Sequence, residues 1–171
     1  MTKLNSKLRF NLNISENERQ VNRIDELIKE SLDLHRVDPS KGKELAKEAL
    51  GLAEKMNYHE GWARGYYALG ASSIWLSEYD NALTYSFKAL KLLQEEGLAH
   101  DTVRVLYNIS ITYFLIDDLD NAIKYSQKCY ELSDKIHFAH GKAMGINAKA
   151  CVLYSDNRND EAISLITEGL E

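Results

Sequence analysis

The segment YDNAL at residues 79–83 recurs as LDNAI at residues 119–123 and as NDEAI at residues 159–163. The alanine of each copy lies 40 residues before the alanine of the next copy. A fixed period of this size is typical of a stack of supersecondary units, each of which is too small to bury its own apolar face. The period therefore predicts a repeat protein.

Each repeat is predicted to contain two helices. Apolar residues recur at helical spacing, as Leu106, Ile109 and Tyr113 do, and the chain has one proline that could interrupt a helix. The first helices are expected at about residues 61–76, 102–116 and 141–155, and the second helices at about residues 78–96, 118–136 and 158–171.

Polar residues are expected to start the second helices. Ser77, Asp117 and Asn157 stand at one phase of the repeat. A side-chain oxygen there can accept a hydrogen bond from one of the backbone N–H groups that a helix start leaves unpaired. We therefore predict that these three residues are N-caps.

An earlier and less regular hairpin is predicted ahead of these repeats. Ser15 and Glu18 have the spacing of a capping box, which opens a helix to about residue 36. Asp38 followed by Pro39 opens a second helix to about residue 56. The connection between these two helices is expected to be one residue shorter than in the later repeats.

The predicted domain organisation is an N-terminal arm followed by a repeat domain. Residues 1–14 form the arm, in which apolar and polar residues alternate from residue 8 to residue 14. The arm is either a disordered leader or an extended segment that docks on a neighbour. The repeat domain covers residues 15–171, with repeats at about 15–57, 58–97, 98–137 and 138–171.

Small residues recur at three phases of the repeat. They are Gly70, Ser110 and Ala150, then Ala82, Ala122 and Ala162, then Ala89, Cys129 and Gly169. In combination these phases resemble the tetratricopeptide repeat, whose small residues let paired helices approach closely. The resemblance implies an all-α fold, a right-handed superhelical solenoid of about four helix-turn-helix repeats with a concave groove lined by the first helices. The period of 40, longer than the common 34, resembles the repeats of bacterial signalling proteins.

Composition argues against several classes of partner. The formal net charge is −5 and no run of Lys or Arg forms a basic stripe, so no nucleic-acid partner is expected. No apolar stretch approaches the roughly 20 residues that span a bilayer, so no membrane association is expected. Two cysteines without Cys-x-x-Cys spacing give no disulfide framework. The expected location is cytoplasmic.

No catalytic motif is recognisable in the sequence. The glycines form neither of the common phosphate-binding patterns, and no base or electropositive pocket is visible for Cys129 or Cys151. His100, His137 and His140 are not expected to share a metal. Equivalent positions in stacked layers lie on the order of 10 Å apart, whereas a metal binds donors about 2 Å away. We therefore expect no enzymatic activity, no cofactor and no metal.

By the geometry of the resembling family, one face of the first helices lines the groove. An Arg-x-x-Tyr pattern occurs twice at helical i,i+3 spacing and suits recognition of carboxylates. Alternatively, the aromatic residues are core and the arginines pair with acids of a neighbouring helix. The predicted groove residues are Arg64, Tyr67, Ala71, Ile74, Arg104, Tyr107, Asn108, Ile111, Phe114, Asn147, Cys151 and Tyr154, with Trp75 and Met144 on the same face.

The leading interpretation is a scaffold that binds a protein or peptide, with an acidic peptide or a C-terminal carboxylate as ligand. The resemblance implies the N-terminal regulatory region of a larger cytoplasmic bacterial signalling protein, for example a diguanylate cyclase or a histidine kinase. The alternative is a structural homo-oligomerisation module with no groove ligand. Its dimer contact would be the C-terminal helix, which is expected to carry an apolar face of Ala162, Ile163, Ile166 and Leu170.

Overall fold

The computed structural model describes residues 15–169, and this part of the chain consists of α-helices joined by short turns. The helices are α1 (Glu16–Leu34), α2 (Pro39–Met56), α3 (His59–Trp75), α4 (Tyr79–Glu95), α5 (Ala99–Leu115), α6 (Leu119–Lys135), α7 (Ala139–Ser155) and α8 (Asn159–Glu168). No strand occurs between residues 15 and 169. The predicted N-terminal arm, residues 1–14, lies outside the described residues.

Within residues 15–169 the helices form four hairpins that stack on one another. Each helix packs against the next helix along the chain, and the first helices α1, α3, α5 and α7 also contact one another in that order. The backbones of the second helices within residues 15–169 lie further apart, and these helices touch only through side chains, as in the edge-to-face contact of Phe87 in α4 with Tyr125 in α6. The stack is therefore tighter on the side of the first helices, which makes that side concave. The prediction of an all-α solenoid is confirmed.

The core lies between neighbouring hairpins as well as inside them. One cluster joins Ala63 of α3 and Ala89 of α4 to Val105 and Ile109 of α5, and all four side chains are fully buried. Because such clusters span two layers, a hairpin buries its apolar face only when its neighbour is present. The alanines of the repeated segments, among them Ala82, are buried where the paired helices come together.

The predicted starts of α1 and α2 are confirmed. The Ser15 hydroxyl accepts from the N–H of Glu18 at 3.2 Å, and the Glu18 carboxylate accepts from the N–H of Ser15 at 2.7 Å. This is the capping box expected from the sequence. Asp38 accepts from the N–H of Lys41 at 3.0 Å, and Pro39 is the first helical residue.

The turns after α2 to α7 are spaced 20 residues apart along the chain. Each contains one residue with a φ angle between 55° and 70°, and these residues are Asn57, Ser77, Gly97, Asp117, His137 and Asn157. The N–H group of the next residue then reaches a carbonyl five positions back, as from Glu78 to Ser73 at 2.9 Å. This Schellman geometry satisfies carbonyl groups that the helix end leaves without partners.

The prediction that Ser77, Asp117 and Asn157 are N-caps is wrong. Each ends the preceding helix in the left-handed conformation, and the N-cap is the residue that follows. In α6 the N-cap is Asp118, whose side chain accepts from the N–H of Asn121 at 3.1 Å. Short polar side chains favour N-caps and are also tolerated at positive φ, so residue type does not separate these two adjacent positions.

The turn of the first hairpin departs from this 20-residue spacing. The Ser31 hydroxyl donates to the carbonyl of Gly42, 11 residues on, at 2.7 Å. In the third hairpin the Ser110 hydroxyl donates to the carbonyl of Ala122, 12 residues on, at the same distance. The first turn is therefore one residue shorter, as predicted. It contains no residue with positive φ, and Val37 in this turn has a β-branched side chain that disfavours that conformation.

Candidate functional site

The predicted groove residues lie on the first helices α3, α5 and α7, on the concave side of the stack. Ala71 and Ile74 are only 3% and 9% exposed, so they belong to the core and offer little surface to a ligand. Asn147 and Tyr154 are exposed. The remaining residues are half-buried, and they are Arg64, Tyr67, Arg104, Tyr107, Asn108, Ile111, Phe114 and Cys151.

The two arginines of the Arg-x-x-Tyr pattern converge on one carboxylate. Asp101 Oδ2 accepts from Arg64 Nε at 2.9 Å, and Asp101 Oδ1 accepts from Arg104 Nη1 at 2.8 Å. Arg64 Nη1 also lies 3.5 Å from Glu60 Oε2. Two positive and two negative charges meet here, so the cluster has no net charge. Arg64 therefore links α3 to α5, as the alternative interpretation of the sequence expects, whereas Arg104 pairs with Asp101 within α5.

The two tyrosines of the pattern are partly core. Tyr67 packs against the cluster around Ile109, and burial raises the pKa of its hydroxyl to about 12. Tyr107 packs against the cluster around Cys129, and burial raises its pKa as well. Positive charges act in the opposite direction on these pKa values, those of Arg104 and Arg36 on Tyr67 and that of Arg36 on Tyr107.

Arg36 is a groove residue that the sequence analysis missed. Its guanidinium carbon lies 5.6 Å from the centre of the Trp75 ring, and Trp75 is 53% exposed. The only polar side-chain contact of its guanidinium within residues 15–169 is a hydrogen bond from Nε to His35 Nε2 at 3.3 Å. No carboxylate of the described chain pairs with it. It is thus a positive charge on the groove without a counterion among residues 15–169.

The one-residue shift of α1 explains this placement. Ser31 of α1 takes the contact position that Gly70 has in α3, and Arg36 and Trp75 each lie five residues after it. The two side chains therefore occupy equivalent places in adjacent layers, and stacking brings them together. The shortened spacing between residues 31 and 42 was the sequence signal that could have located Arg36.

Asn108 contributes an unused hydrogen-bond donor beside Tyr107. Its side-chain nitrogen Nδ2 is buried and has no partner within the described part of the chain. Its backbone carbonyl accepts from the hydroxyl of Thr112 at 2.7 Å, one turn further on. Buried amide groups without a partner are rare in proteins, so the position is a candidate contact for a ligand that reaches into this wall.

The last hairpin presents an apolar cleft at the end of the described array. The cleft has a volume of about 310 Å³ and lies between α7 and α8. Tyr154 is 71% exposed and Ile163 is 63% exposed on its rim. One repeat earlier, the position of Ile166 is held by Ser126, which is fully buried. The homodimer through the C-terminal helix stays a prediction, and this cleft is the surface that it would use.

The two cysteines have different environments. Burial raises the pKa of the Cys129 thiol to about 12, and its Sγ lies 3.5 Å from the carbonyl oxygen of Val103. Cys151 is half-buried on α7, beside the apolar cleft. Cys129 therefore fills a small-residue position in the helix packing, and Cys151 is the more accessible thiol.

We expect one thiol to react rapidly with DTNB in the native chain at pH 8. Cys151 should react, because Cys129 is buried and its thiolate is disfavoured. The second thiol should react only after urea unfolds the chain. The Cys151→Ser variant is the matched control and should show no rapid phase. Two rapid thiols in the native wild-type chain would contradict the burial of Cys129.

The histidines are not arranged as a metal site. The rings of His100 and His140 both contact Phe138 edge-on, with centroid distances of 4.8 Å and 5.9 Å from it. His140 is part of α7, which begins at Ala139, two residues before its predicted start at about residue 141. Within residues 15–169 no three His, Cys, Asp or Glu residues form a group able to hold a metal ion. No described helix combines the length and apolarity needed to cross a bilayer.

The hairpins resemble those of solved structures. The crystal structure of aspartyl phosphate phosphatase F from Bacillus subtilis matches with a TM-score of 0.76 at 16% identity, over 86% of this chain and 40% of that one. BtubC from P. vanneervenii matches with a TM-score of 0.67 at 16% identity, over 77% of this chain and 55% of that one. The chain thus spans about half of each or less, and identities this low show the fold alone.

A family comparison adds to this structural similarity. No curated protein matches the chain significantly in sequence. Residues 63–135, which cover most of α3 to α6, match the family model of the tetratricopeptide repeat. The hairpins on both sides continue the same stack. Residues 63–135 are therefore similar to the tetratricopeptide repeat, a protein-binding type of repeat scaffold, and the hairpins around them share its fold.

Proposed function

We propose that this chain is a non-catalytic scaffold that binds an acidic protein segment or peptide along the concave face of α3, α5 and α7. The observation that carries the proposal is Trp75, a large aromatic side chain that is half-exposed on this face and has Arg36 over its ring. Exposed aromatic and arginine side chains are typical of binding surfaces. In a chain of net charge −5, an uncompensated arginine favours an acidic ligand.

We further propose that binding in this groove regulates a signalling protein in the bacterial cytoplasm. The support is the resemblance of the 40-residue period to the repeats that precede output domains such as diguanylate cyclases and histidine kinases. In such an arrangement, a ligand changes the output only if it binds one conformation of the repeat array more tightly than another. The closely stacked first helices would be the element that a ligand bridges.

The proposal is tested by selecting binders for the full chain from a random dodecapeptide library and measuring their affinity for two variants. Ile111→Glu places a carboxylate on the half-buried groove wall, and we expect it to weaken binding about tenfold or more. Phe87→Glu makes the same kind of change on α4, outside the first helices, and should leave affinity unchanged. Failure to select any peptide, or equal binding by both variants, would reject the groove.

A further inference from the structure

We propose that Arg36, held against Trp75, recognises the carboxylate of the groove ligand, whereas Arg64 and Arg104 are both occupied by Asp101 of α5. The inference rests on the proposed function, because it assigns the charged contact of that same groove. The ligand group is a carboxylate of a peptide, either its C-terminus or an Asp or Glu side chain. This assignment moves the recognition of charge from the middle of the groove to its N-terminal edge.

The distribution of ion pairs carries the first step. Arg64 and Arg104 both donate to Asp101, at 2.9 Å and 2.8 Å, and Arg64 also faces Glu60. A ligand carboxylate would compete there with a carboxylate that is already in place and only partly exposed. Arg36 has no such competitor among the described residues. A new carboxylate therefore gains more free energy at Arg36 than at the Asp101 cluster.

The stacking geometry carries the second step. A guanidinium over an indole ring is held in one orientation by the cation–π attraction, and the N–H groups in its plane stay available as donors. Within the described part of the chain, only the Nε–H of Arg36 is engaged, by His35 Nε2. The two terminal nitrogens are then free to donate to both oxygens of one carboxylate. Because the ring restricts the long side chain beforehand, less conformational entropy is lost on binding.

The surroundings of Arg36 carry the third step. Its charge acts on the hydroxyls of Tyr67 and Tyr107, which lie on successive layers of the same face. Two phenol groups with raised pKa values remain protonated at neutral pH and can donate hydrogen bonds to an anion. The contact of Arg36 with Trp75 thus lies on a concave face that Tyr67 of α3 and Tyr107 of α5 continue, which suits a carboxylate attached to an apolar peptide.

The experiment uses the full chain and two libraries of random dodecapeptides, one with free C-termini and one amidated. We expect the wild-type chain to select peptides that depend on a carboxylate. If amidation abolishes binding, the group is the C-terminus. If amidation has no effect but Asp→Asn or Glu→Gln changes in the peptide do, the group is a side chain. Selection of peptides that depend on neither would overturn the proposal while leaving the groove itself intact.

Matched variants locate the contact. Arg36→Gln should lower the affinity for carboxylate-dependent peptides about 10- to 100-fold, which is the range for losing a hydrogen bond to a charged group. Its affinity for the amidated or amide-substituted forms should stay as in the wild type. Arg104→Gln should lower thermal stability but change affinity less than threefold, since its partner is Asp101. Wild-type affinity in Arg36→Gln, or a larger loss in Arg104→Gln, would overturn the assignment. If no peptide binds any chain, the proposed function itself fails.

Discussion

Replacing Gly145 with alanine will lower the free energy of unfolding by about 3 kcal/mol, at the upper end of the usual cost of overpacking. A methyl group at Gly145 would lie 2.8 Å from the backbone nitrogen of Tyr130 and 3.0 Å from its Cα atom. These are atoms of the α6 backbone, which cannot rotate away as the end of a side chain can. Helices α6 and α7 would have to separate, and the contact between them would loosen along its length.

Two other glycines provide controls for the same chemical change. Apart from its chain neighbours and its own helix backbone, no atom of the described residues lies within 4 Å of a methyl group added at Gly51 in α2. Gly51→Ala should therefore stabilise the chain by about 0.5–1 kcal/mol through helix propensity. At Gly65 the nearest atoms to an added methyl group, at 3.4 Å, belong to the side chain of Leu50. The change in the free energy of unfolding for Gly65→Ala should therefore lie between those for Gly51→Ala and Gly145→Ala. Urea titrations followed by circular dichroism at 222 nm measure all three. Equal stability of Gly145→Ala and the wild type would refute the close approach of α6 and α7.

These glycines show where periodicity stops being informative. Gly65, Val105 and Gly145 occupy one phase of the repeat, so the sequence pattern treats them as equivalent. In the structure Val105 is fully buried in the core, whereas Gly145 has room for no side chain at all. The distance between two packed helices depends on the side chains of both helices. The position of a residue within the repeat does not specify which residue faces it on the neighbouring helix.

The overall architecture was accessible to sequence analysis because it depends on repeated local features. Helices, their order and their small-residue contacts recur at fixed phases, and three copies of a signal are hard to mistake. The turns were predicted in the right place but in the wrong register by one residue, at Ser77, Asp117 and Asn157. The cause is physical, because the same short polar side chains serve both the end of one helix and the start of the next.

The candidate site was predicted less well than the fold. The pairing of Arg104 with Asp101 at i,i+3 is visible in the sequence, but the reach of Arg64 from α3 to Asp101 depends on how two layers are rotated. The position of Arg36 depends on one missing residue in the first turn. Long charged side chains cover several ångströms, so their partners are decided by tertiary geometry that residue spacing does not specify.

Replacing Ile109 with alanine will have a comparable effect by the opposite mechanism, a cavity. Ile109 is fully buried at the junction of the second and third hairpins, in contact with the cluster of Ala63, Ala89, Leu93 and Val105. Loss of a buried isoleucine costs about 2–5 kcal/mol, and the small alanines around it leave few side chains able to fill the space. Ile163→Ala, on a side chain that is 63% exposed, is the matched control and should change stability by less than about 1 kcal/mol.

The location of the effect also tests the stacked architecture. Each described hairpin contacts only its neighbours, so stability is approximately a sum of hairpin and interface contributions. In Ile109→Ala, amide hydrogen exchange measured by mass spectrometry should therefore speed up most in α3 to α6, and least in α1 at the far end of the stack. The interface that contains Ile109 holds the two halves together, so partial opening at this point becomes easier than global unfolding. Equal acceleration in all helices would instead mean that the four hairpins unfold as one cooperative unit.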